Sequence, residues 1–158
     1  MRFARVITLR TIAIALLLPA PLFATSFAYG IDESIPNPQA LAALEQRASV
    51  ASPREQCFLY AELVHQRTEQ AGRELSSGDL EKASASIQFI QKYASKIHMG
   101  LADDSKRLKN AEILVRHTAF RLRDILRGAS ADDRPPLEAT LKQLDQVQSE
   151  MMLAVFKH

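Results

Sequence analysis

Glu62-Leu63-Val64-His65 is the first place in this chain to look for chemistry. On a helix, Glu-x-x-His sets a carboxylate and an imidazole side by side, the element that di-iron bundles project inward. Such a centre needs two of these elements and two further glutamates, and the chain supplies one. A surface pair beside an apolar face is therefore expected, not a metal site. His98-Met99 and Met151-Met152 offer imidazole and thioether, which suit Cu(I). Neighbouring residues on a helix point apart, and Met on a helix face packs as core, so no copper site is expected either. Ser77 and Ser105 lack a Gly-x-Ser-x-Gly elbow, no Gly-rich phosphate loop occurs, and no Cys-x-x-Cys-His is present for haem. The expectation is a protein that is not an enzyme and carries no cofactor and no metal.

A different chemistry is written in charge. Lys109, Arg116, Arg123 and Arg127 fall within a narrow arc at 100° per residue. They are the candidate anion- or partner-binding residues, suited to phosphate-bearing lipid, a polyanionic envelope polymer or an acidic protein face. The competing reading is a solvated or internally paired stripe. Glu55, Glu62 and Glu69 recur at the same seven-residue step as Lys109, Arg116 and Arg123, and complementary stripes suit adjacent helices. Phe120 is the lone aromatic near the stripe, so single-stranded nucleic acid is not an expected partner. Cys57 is the chain's one cysteine, which excludes an internal disulfide. It is expected to be a buried apolar residue, the alternative being a bridge between two copies.

The elements that hold these residues are helical. Asn37-Pro38 is a cap followed by proline and predicts a short helix through Val50. Ser52-Pro53-Arg54-Glu55 predicts a capping box opening the next helix, whose face is Cys57, Ala61, Val64, Thr68, Ala71 and Leu75. Gly78 is expected as its left-handed terminal residue and Asp79 as the following cap. The third face runs Leu80, Ala83, Ile87, Ile90, Ala94, Ile97, Leu101, and a fourth continues it from Leu108 through Ala111, Val115, Thr118 and Leu122 to Ile125. Asp104 interrupts the series, so a break between Gly100 and Ser105 is favoured over one helix spanning residues 79–127. The last helix starts near Asp133, tolerates Pro135 and Pro136 in its first turn, and shows Leu137, Leu141, Leu144, Val147 or Gln148, Met151 and Val155. The predicted fold is all-α: an antiparallel helical bundle of four long helices plus a short N-terminal helix, one domain over residues 37–158.

The first thirty residues carry Arg2, Arg5 and Arg10 with no acid, then an apolar run broken by Pro19 and Pro21. From Thr11 to Ala24 that run is 14 residues, short of the roughly 20 a membrane span needs. Ser26-Phe27-Ala28 has the small residues a signal peptidase reads, with Leu22-Phe23-Ala24 as a second cut. Residues 1–28 are expected to be a cleavable signal peptide and 29–36 a flexible leader, and the protein exported, periplasmic or secreted. Of 20 Lys+Arg and 18 Asp+Glu, cleavage removes three arginines, leaving 17 against 18 and a net charge of −1. The basic pI of the whole chain, about 8.8, therefore carries no argument for nucleic acid.

Lys106-Arg107-Leu108-Lys109, Glu112, Arg116, Arg121-Leu122, Asp124-Ile125, Asp133-Arg134 and the Val155-Phe156 ending resemble exported all-helical bacterial proteins that have no assigned activity. The resemblance covers residues 103–158 and implies export and helix, with no site attached. The function expected from the whole sequence is non-catalytic protein–protein association in the cell envelope, in its simplest form self-association. The alternative is a binder of anionic lipid or envelope polymer through the basic stripe.

Overall fold

The computed structural model describes residues 37–97 and 106–156, and within them every regular element is a helix. These are α1 (Pro38–Val50), α2 (Pro53–Ser76), α3 (Leu80–Ile97), α4 (Lys106–Gly128) and α5 (Arg134–Phe156). The all-α class is as predicted. The signal segment, the leader, His98-Met99 and the Gly100–Ser105 break lie outside the described residues.

Local chemistry sets most of the boundaries. The Asn37 side chain accepts a hydrogen bond from the Gln39 amide at 3.0 Å, and Pro38 occupies the first turn of α1. Gly78, at φ 77°, takes the left-handed conformation that ends α2. Around it the Asp79 amide donates to the Glu74 carbonyl at 2.9 Å and the Gly78 amide to Leu75 at 3.1 Å, the two bonds of a Schellman ending. Asp79 then accepts from the Lys82 amide and starts α3. The capping box at Ser52 does not form: the Ser52 side chain makes no cap bond. Glu55 turns instead to Arg107 of α4, 3.1 Å away, because an ion pair between helices competes with reaching back to its own.

Cross-helix pairs fix the directions. Tyr60 stacks near Tyr93, Arg67 lies over Phe89 and Glu74 meets Ser86, so α3 runs against α2. Glu55 with Arg107, His65 with Thr118, and Glu69 with Arg121 all advance together, so α4 runs alongside α2 in the same sense. α2 packs on α3 and α4, and α5 packs on α3 and α4, so the four long helices close a square with α3 and α4 on a diagonal. A purely antiparallel bundle of chain neighbours is therefore corrected: the α2–α4 contact is parallel, and α3 and α4 share no packed face among the described residues.

α1 lies against α2 through Leu41, Leu44 and Ala48. Flanked on three sides, α2 buries Leu59, Tyr60 and Leu63 as well as its expected face, wider than one stripe of period 3.6 predicts. Leu137, Thr140, Leu144, Val147 and Met151 line α5 inward, and Leu80 of the expected α3 face is exposed. The one charged side chain buried among the described residues, Glu74, accepts from Ser86 Oγ at 2.6 Å and Gln70 Nε2 at 2.7 Å, so its burial is compensated.

Candidate functional site

Helix phase splits the cations of α4 into two sets. Arg107 and Arg121, fourteen residues apart, fall on the edge that meets α2. Arg121 Nε donates to both carboxylate oxygens of Glu69 at 3.0 and 3.1 Å. The seven-residue acidic step of α2 thus does pair with α4, through Arg107 and Arg121 in place of the expected Lys109, Arg116 and Arg123. Position 114 of that ladder is Leu, so Glu62 has no cation opposite it on α4. Glu62 lies instead near Arg47 of α1, whose charge opposes the upward push that burial gives its carboxyl.

Glu62 and His65 are consequently divided between two interfaces. The Thr118 hydroxyl gives its proton to the Leu114 carbonyl at 2.8 Å, so His65 Nδ1, 3.0 Å away, is the donor to Thr118 Oγ1. Burial holds His65 below its ordinary pKa; Glu69 pulls upward and His117 adds to the lowering. Among the described residues no three His, Cys, Asp or Glu side chains gather where a metal ion could sit. Met151 is buried and Met152 exposed, so the two thioethers face different surroundings. Cys57 is buried and its thiol is pushed up to about 11 by that burial, which leaves no surface sulfur for a bridge between copies.

The four residues singled out by spacing, Lys109, Arg116, Arg123 and Arg127, all lie exposed on the outward side of α4. Two of them already hold acids: Arg123 bonds Asp145 of α5 at 2.5 Å, and Arg127 bonds Asp124 one turn back. Lys109 and Arg116 meet no acid among the described residues. Sequence reasoning used Phe120 only to argue against nucleic acid and passed over Ile113, although both stand among the four cations. Ile113 and Phe120 fall inside the same arc of about 80°, with Phe120 60% exposed and Ile113 41%. Helix phase alone could have flagged them, as apolar residues on the wrong side of α4.

A cleft of about 450 Å³ opens at one end of the bundle beside Gly72, Leu75, Leu80 and Ile125. Its polar groups are engaged with each other or with neighbours: Arg121 with Glu69, Asp124 with Arg127, Asp133 with Ser130. The Ser130 hydroxyl donates to Asp133 Oδ2 at 2.6 Å in the turn before α5, and no histidine among the described residues lines the cleft. Comparison with protein-family models, curated proteins and solved structures finds no match for this chain.

Proposed function

We propose that the protein is exported to the cell envelope and acts there without catalysis, by docking the outward face of α4 onto a partner. The observation that carries this reading is Phe120, an aromatic side chain more than half exposed, with Arg116 and Arg123 one turn to either side and Lys109 further along the same arc. Aromatic and arginine side chains together are the composition of binding surfaces, and a folded monomer gains nothing by leaving such a ring in water. Export rests on the charge and hydropathy of residues 1–28.

Self-association is the simplest form of docking, but a two-fold contact across this face would set one basic stripe against its copy. An anionic occupant fits better, either an acidic protein face or, as the alternative, anionic lipid or envelope polymer. A photo-crosslinking residue placed at position 120, and in a control at the exposed Ser84 of α3, tests the reading in the cells that export the protein. Adducts at 120 and none at 84 are expected. Equal labelling at both positions, or none at 120, discards the docking face.

A further inference from the structure

Resting on that docking reading and narrowing its occupant, we propose that the ridge formed by α4 and α5 lies on a membrane surface rich in anionic phospholipid. Phe120, Met152 and Phe156 enter the headgroup region, while Lys109, Arg116 and Arg123 meet lipid phosphates.

The placement follows from one bridge and helix geometry. Residues 129–133 are too short a link for α5 to do anything but run back along α4, since from Gly128 a parallel α5 would have to restart near residue 112 to bring Asp145 beside Arg123. From that bridge, one seven-residue step on each helix, in opposite directions, brings Met152 level with Arg116. An eleven-residue step brings Phe156 level with Glu112, beside Ile113. Met152 is 43% exposed and Phe156 78%. Isolated exposed apolar residues are ordinary on a protein surface, whereas several on adjoining turns of two packed helices make a patch that asks for an occupant.

Charge and shape select the occupant. Lys109 and Arg116 are cations without acidic partners among the described residues, and the exposed Arg123–Asp145 and Arg127–Asp124 pairs are weak enough in water to exchange for phosphate. The outward side of two packed helices is two ridges with a shallow groove between them. A protein partner would have to match that relief, while a bilayer interface yields around inserted side chains. Basic residues interleaved with Phe, Ile and Met are the composition of helices that lie in the plane of an anionic membrane. No described helix is long and apolar enough to cross a membrane, and side chains entering from this ridge reach only the interface.

Co-sedimentation with phosphatidylcholine vesicles, with and without phosphatidylglycerol, tests this. All variants are compared in one form of the chain, its N-terminus fixed by mass spectrometry, because an uncleaved apolar leader could itself enter lipid. Binding is expected only with phosphatidylglycerol and is expected to weaken as salt rises. Lys109→Gln with Arg116→Gln should lower it by roughly thirtyfold, from about 1 kcal/mol of membrane attraction lost per cation. Phe120→Ser with Phe156→Ser should lower it likewise, while Arg73→Gln, which removes one exposed cation from α2, should leave it unaltered. Circular dichroism of each variant checks that the helices persist. Equal binding to both vesicle types, or a Lys109/Arg116 variant that binds like the parent, overturns the lipid assignment. Absence of binding to phosphatidylglycerol vesicles overturns it too, and if position 120 then crosslinks to a protein, the docking face survives with a different occupant.

Discussion

Cys57 and His65 show how burial changes what a reactive side chain can do. With its thiol inside the core, Cys57 should resist thiol reagents in the native protein and react at the ordinary rate after denaturation, and reductant should not change the native mass in solution. Fast labelling of the folded protein would contradict the packing around α2. His65 is held neutral, so the unfolded chain takes up a proton before the folded one as pH falls. Its contribution is complete above the ordinary histidine pKa and drains away as pH drops through that value toward the lower folded one. Urea midpoints should therefore fall between roughly pH 7.5 and 5.5, and His65→Gln, which keeps a donor for Thr118 without titrating, should flatten that slope. Glu62, raised by burial, works oppositely: its contribution is greatest below the ordinary carboxylate pKa and is lost as pH rises. A steeper slope in the Gln variant would sink the assignment to His65.

At the scale of elements, two glycines carry testable geometry. A Cβ at Gly72 would stand 2.9 Å from Ile125 Cδ1, where α2 and α4 approach each other. That atom is the end of a side chain and can swing away, so Gly72→Ala should be near neutral, the clash offset by better helix propensity. Gly72→Leu cannot be accommodated that way and should destabilise by about 1–3 kcal/mol in denaturant titrations. Gly78 has open space around it, but its positive φ makes Gly78→Ala cost about 1 kcal/mol. Equal effects of alanine at the two sites would mean that conformation and packing have been assigned to the wrong positions. The Gly78 turn was legible in advance because Ser-Gly-Asp chemistry is local. The α2–α4 crossing was not, because nothing near Gly72 in sequence identifies Ile125 as its neighbour.

For the whole molecule, stability and docking should separate. Phe120 and Phe156 contribute little to the core, so replacing either with Ser should change unfolding free energy by no more than about 0.5 kcal/mol. A loss of several times that would place these side chains inside the fold and remove them from any docking face. The square of helices explains why the charges divide as they do. Because α4 sits between α2 and α5, its cations at 107 and 121 serve the parallel neighbour, 123 serves the antiparallel one, and 109 and 116 are left facing out.

Residue order by itself determined the helices: caps at Asn37 and Asp79, the terminal Gly78, and apolar faces repeating every three or four positions. These are short-range effects, decided within a few turns by backbone hydrogen bonding and side-chain phase. Which helices touch was decided only by tertiary packing. The seven-residue steps on α2 and α4 matched several cations equally well, and only the relative rotation and axial offset of two packed helices selected Arg107 and Arg121 for pairing. The same rotation turned Phe120 outward, since a helix has one buried side and the core can accept α4 in a single orientation.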